Sequence, residues 1–154
     1  MDRVCKEAEK QTITRRSDHR LHSVFGRVDE AIAMATMYTA NHLGVAAIAA
    51  LTESGSTPKW MSRISSGIPI YALTPHVATR RKVTLFRGVY PVSFDLNGVD
   101  DTQQANIEII EEMQRRGAVR DDDLVVITKG DLTGVSGGTN VLKIVRVGDH
   151  LLPS

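Results

Sequence analysis

Six consecutive residues, Thr52-Glu53-Ser54-Gly55-Ser56-Thr57, combine hydroxyls, a carboxylate and a glycine directly before Pro58. They follow an apolar run and precede a helix start. Free backbone N–H groups and the field at a helix N-terminus favour an anion in such a place. Ser54, Ser56 and Thr57 add hydroxyl donors, and Gly55 permits close approach or an unusual φ. The chemistry would be capture of a phosphate group on a small metabolite. Glu53 opposes it unless its side chain points away. The same residues also suit a tight strand-to-helix turn, with Ser56 or Thr57 as the cap and no ligand.

A second stretch runs from Lys129-Gly130-Asp131 to Gly137-Gly138-Thr139-Asn140. Its glycines could let a loop fold over a ligand, or could serve hairpin geometry alone. It lacks the GxxxxGK[ST] spacing of a nucleotide P-loop. A basic group, Arg80, Arg81, Lys82 and Arg87, could reach a phosphate, although such runs more often form the wet face of a helix. Trp60 could stack on a base or simply pack. The histidines (His19, His22, His42, His76 and His150) are scattered, and Asp121-Asp122-Asp123 reads as a solvated turn. No nucleophile–base pair and no metal-ligand spacing stands out, so the expectation is binding without catalysis: no catalytic residues, no metal and no cofactor in this chain.

The elements that must position these residues follow from apolar runs and turn signals. Residues 25–44 read as a helix, with Val28, Ile32, Ala35 and Leu43 on its apolar face and Gly44 as its stop. The runs 45–51 and 68–74 read as buried strands, joined by a helix with Pro58 in its first turn and Gly67 ending the unit. That is a βαβ unit with parallel strands. The pattern repeats with a helix over 76–86, a strand over 88–94 and a helix from Thr102 to Arg116, closed by Gly117. The final strands, 123–131 and 139–147, are joined by LTGVSGG. No crossover helix fits there, so this pair must be antiparallel. The fold class is α/β, a three-layer, mixed five-stranded sheet with flanking helices and an antiparallel last strand. Residues 1–10 read as a short helix and 11–24 as a connector.

Composition adds bounds. A chain of 154 residues suits one core, and 42% hydrophobic with 24% charged residues is ordinary globular usage. A formal net charge of +1 gives no broad field for nucleic acid or an acidic membrane. Cys5 is the single cysteine, which fits a reducing compartment. No apolar run is long enough to span a bilayer, and MDRVCKEAEK lacks the apolar core of a signal peptide. A cytoplasmic location is expected.

The segments EAIAMATMYTANHLGVAAIAALTESGSTPKWMSRISSGIPIYALTP, TLFRGVYPV and DDDLVVITKGDLTGVSGGTNVLKI resemble, in order and spacing, the C-terminal domain of pyruvate kinase, and look most like the bacterial second isozyme type. The resemblance runs from about Val28 to Val147. Residues 1–27 look like the tail of that family's catalytic barrel plus a connector, and 28–154 like the C-terminal domain. The resemblance implies a regulatory and oligomerisation domain, self-associating or docked on the parent's barrel. The parent reaction would be phosphoryl transfer from phosphoenolpyruvate to ADP in glycolysis, using Mg²⁺ and K⁺. Carried over by position, an effector's phosphate would sit at Thr52, Glu53, Ser54, Gly55, Ser56 and Thr57, with Gly130, Gly137, Gly138 and Thr139 closing nearby. Members that respond to fructose 1,6-bisphosphate often carry Lys after the first Thr and Arg or Lys after the Gly, where this chain has Glu53 and Ser56. Both differences remove positive charge, which favours a monophosphate such as AMP or ribose 5-phosphate. The alternatives are an assembly module with a non-functional effector pocket and a freestanding phosphometabolite-binding protein. A barrel of roughly 250 residues does not fit in this chain, so no kinase turnover is expected from it alone.

Overall fold

A computed structural model describes residue 7 and residues 24–96, 99, 101–130 and 136–149. The expected helix at 1–10 and connector at 11–24 lie almost wholly outside these, as do residues 131–135 of the last loop. The elements in chain order are α1 (Val28–Leu43), β1 (Ala47–Leu51), α2 (Ser56–Ser62), β2 (Ile70–Thr74), α3 (Val77–Val83), β3 (Val89–Ser93), α4 (Thr102–Arg115), β4 (Leu124–Gly130) and β5 (Thr139–Arg146).

The strands form one five-stranded sheet in the order β3-β2-β1-β4-β5. All neighbours are parallel except β4 and β5, as the short final connection requires. The chain steps outward from β1 to β2 to β3, then returns past β1 to β4. Crossovers between parallel strands are right-handed, so a reversal of direction moves the connecting helix to the opposite face. Accordingly α1, α2 and α3 cover one face, packed with Ile48, Ala50, Ala72 and Val126. Helix α4 covers the other through Ile109, Ile110 and Met113, against Ala47, Ala49, Leu73, Val125 and Ile127.

Burial explains the order of the layers. β1 is central and carries alanine at 47, 49 and 50, all fully buried. Small side chains there bring the helices close to the sheet, and bulkier groups such as Met37, Met61 and Ile127 fill the remaining space. Each fully buried large aliphatic side chain contributes about 1.5–3 kcal/mol relative to exposure.

The face of α1 differs from the sequence reading. Its buried stripe is Asp29, Ala33, Thr36, Met37 and Ala40, while Val28 and Leu43 stand in solvent, Ala35 is exposed and Ile32 is half-buried. The helix is apolar on more than one side, so periodicity alone could not choose, and close approach to the alanine-rich strand selects the small residues. Gly44 ends α1 in the left-handed conformation at φ 68°, as expected.

Candidate functional site

The turn after β1 is held by four contacts, one within the turn and three to α3 and its cap. Thr52 Oγ1 accepts the Gly55 N–H at 2.9 Å, so one turn amide is bonded within the turn. The Glu53 carbonyl accepts the Thr79 hydroxyl at 2.7 Å, and the Ser54 carbonyl accepts Lys82 Nζ at 2.9 Å. The Glu53 carboxylate pairs with His76 Nε2, at the start of α3. Thus α3 braces the turn from one side. Of the basic group, Lys82 is the member that does so, while Arg87 meets the Ser65 hydroxyl at 3.3 Å.

The helix cap is not the one expected. Gly55 caps α2, in a left-handed conformation at φ 78°. Neither Ser56 nor Thr57 caps, because both lie within the helix and their hydroxyls point elsewhere. Thr57 Oγ1 donates to Thr139 Oγ1 at 2.8 Å, in a buried bond between α2 and the first residue of β5. Ser56 Oγ donates to Asp29 Oδ2 at 2.7 Å.

These contacts bring the two candidate stretches together. A cleft with a cavity volume of about 60 Å³, open to solvent, is lined by Thr52 and Glu53 from the turn, by Thr57 from α2, and by Gly137 and Thr139 before and at the start of β5. Leu51, Leu73, Pro75, Phe94, Asp95 and Leu96 complete its described walls. Gly130 ends β4 and pairs with Thr139 across an irregularity in the ladder. Ser54, Gly55, Ser56, Gly130 and Gly138 lie outside the cleft lining. Lys129, which opens the second candidate stretch and falls within the expected strand 123–131, is a buried residue of β4 whose Nζ donates to the Thr102 carbonyl. Among the described residues, no cluster of His, Cys, Asp and Glu is arranged to hold a metal, and no helix is long and apolar enough to cross a membrane.

Sequence reasoning missed Arg27 and Asp29. Arg27 Nε and Nη2 donate to the two oxygens of Asp29 at 2.8 and 3.0 Å, and the Glu30 N–H adds a third bond at 3.0 Å. Asp29 is 1% exposed, and its Oδ2 also takes the Ser56 hydroxyl. A β-carbon placed on Gly137 would lie 2.6 Å from Arg27 Nη2, so the guanidinium rests against the glycine that lines the cleft. The sequence alone did not set Asp29 apart; its place four residues before Ala33 and eight before Met37 carries meaning only once these form the buried row of α1.

Burial alone would raise the Asp29 pKa. The hydrogen bonds from Arg27 and Ser56, the Arg27 charge and the Glu30 amide outweigh it and hold the carboxyl below its ordinary value. Glu112 behaves alike: burial would raise it, and Arg115 and Arg116 bring it down. A carboxylate depressed in the folded state stabilises fully above its unfolded pKa, and that stability is lost as pH falls through the folded pKa. Stability is therefore expected to fall below about pH 4, by at most about 1.4 kcal/mol per pH unit for each carboxylate. Urea unfolding between pH 3 and 7 measures it, and Asp29→Asn should flatten the acid limb.

The architecture defines a class, an open α/β domain with one antiparallel edge strand and a cleft off the carboxyl ends of β1, β2 and β3. Residues 30–145 match the family described as pyruvate kinase, alpha/beta domain, and the chain belongs to that family. It is 44% identical over 148 residues to a pyruvate kinase of Buchnera aphidicola subsp. Baizongia pistaciae and 45% identical over 148 residues to pyruvate kinase II of Salmonella typhimurium. Each alignment covers 96% of this chain and 30% of the relative. A pyruvate kinase of Haemophilus influenzae is 39% identical over 132 residues, 84% of this chain and 27% of that protein. The chain thus spans about a third of the length of these relatives.

Proposed function

We propose that this domain binds a phosphorylated small molecule as an allosteric effector and contributes subunit contacts within a pyruvate kinase, whose barrel would carry the Mg²⁺- and K⁺-dependent reaction in the cytoplasm. The observation that carries the reading is the cleft itself. It lies off the carboxyl ends of parallel strands, where the chain reverses from β3 to β4 on the far side of β1. Open α/β sheets take ligands at such switch points. Thr52 and Thr57, after β1, meet Gly137 and Thr139 there through the Thr57–Thr139 bond, so a ligand seated there would touch elements that are far apart in sequence.

Monophosphates fit this cleft better than bisphosphates, because Glu53 and Asp95 both line it and no Lys or Arg is among its described lining residues. Calorimetry on the folded chain with AMP, ribose 5-phosphate and fructose 1,6-bisphosphate is the test. Heat is expected from one or both of the first two and less from the third. No heat from any of them removes the effector reading.

The same two carboxylates favour a second reading, an assembly module whose cleft is not used. Val28, Tyr38 and Leu43 give α1 an exposed apolar side suited to a neighbouring subunit. Under this reading light scattering finds a concentration-dependent oligomer and calorimetry finds no effector.

A further inference from the structure

Ser56 does not turn its hydroxyl proton toward the cleft; it gives it to Asp29, and Asp29 in turn fixes Arg27. The result is a cation at the cleft's edge that comes from the residue before α1, remote in sequence from both candidate stretches. We propose that Arg27 is the anion-recognising residue of this cleft, reaching the phosphate of a bound monoester past Gly137. This rests on the effector reading above and adds the residue that makes it electrostatically workable.

Three observations carry it. First, the guanidinium lies directly on Gly137, and Gly137 is part of the cleft wall. Any side chain at 137 would meet Nη2, so the absence of one lets the charge approach this wall. Second, a guanidinium has five N–H donors. The two bonds to Asp29 engage Nε and Nη2, and Nη1 takes no part in them. The Arg27 side chain is 56% exposed, so the group is both oriented and open to a ligand. Third, the described lining holds Glu53 and Asp95 and no Lys or Arg, so positive charge at the rim would favour an anion there. A planar guanidinium pre-set by a carboxylate suits phosphate oxygens better than a flexible ammonium.

Within this cluster Asp29 has a defined part. It positions Arg27 and, being negative, also opposes the anion. The two residues therefore make predictions of opposite sign, which a purely structural cluster does not. The experiment is calorimetry of the full chain with ribose 5-phosphate and AMP, with melting temperatures recorded in parallel. Arg27→Ala should weaken binding at least tenfold and Arg27→Lys by less. Asp29→Asn should leave affinity unchanged or tighten it several-fold, since the amide oxygen still accepts one guanidinium N–H and the repulsion is gone. Arg27→Ala leaves Asp29 buried without its ion partner and could unfold the protein. The double variant Arg27→Ala/Asp29→Asn avoids this, and should bind at least tenfold more weakly than Asp29→Asn alone.

Equal affinity in the wild type and the Arg27 variants overturns the assignment while leaving the effector reading intact. Parallel losses in Arg27→Ala and Asp29→Asn also overturn it, by marking the cluster as structural. If wild-type protein binds neither compound, the effector reading fails, and this assignment fails with it.

Discussion

Gly55→Ala is expected to cost roughly 2–5 kcal/mol of folding stability, the sum of two separate penalties. The residue sits at φ 78°, where an L side chain is strained by about 1–2 kcal/mol. Its new β-carbon would also lie 2.9 Å from Val83 Cγ1 in α3, and packing it in adds about 1–3 kcal/mol. Gly44→Ala isolates the first penalty, because Gly44 shares the left-handed conformation and a β-carbon there would meet nothing within 4 Å. Chemical denaturation of both variants should therefore show Gly55→Ala as the costlier by the packing contribution. Equal losses would mean that α3 yields freely, and that the brace on the turn is loose.

The second large effect is at Ile127. Its side chain is fully buried between β4 and α4, in the strand that joins the parallel part of the sheet to the antiparallel edge. Ile127→Ala removes buried methyl and methylene groups from a site walled by sheet and helix, which should cost about 2–5 kcal/mol. For a chain of this size that lowers the melting temperature by roughly 4–20 °C. A loss below about 1 kcal/mol, measured by urea unfolding, would show that α4 collapses onto the gap.

Much of this fold was legible because apolar runs of strand length alternate with turn residues. VAAIAAL and IPIYALT are short, bounded and apolar throughout, and they become β1 and β2 with both faces covered. The antiparallel last strand followed from chain length alone, since no helix fits between Gly130 and Thr139. The two stretches that line the cleft were also visible, as hydroxyl- and glycine-rich breaks at strand ends. The join between them was not. A hydroxyl pair such as Thr57 and Thr139 carries no sign of its partner 82 positions away. The charge at the cleft's edge was hidden for a different reason. Arg27 and Asp29 look like an ordinary polar start to a helix, and acidic residues in a first turn need no further explanation. Only the burial of Asp29 separates it from that case. The cap of α2 was misplaced because serine and threonine are good caps, and here a glycine takes the position so that both hydroxyls can serve tertiary contacts.

The order in which strands enter the sheet has a consequence for biosynthesis. β1 leaves the ribosome early and pairs with β2, yet its other edge waits for β4 and stays open until most of the domain has been translated. Such an edge invites pairing with another nascent chain. The wall formed by Gly137 and Thr139 arrives later still, with β5. A polypeptide stalled before Thr139 has the hydroxyl-rich turn but not the β5 partner of Thr57, so the cleft is complete only once the last strand has been made.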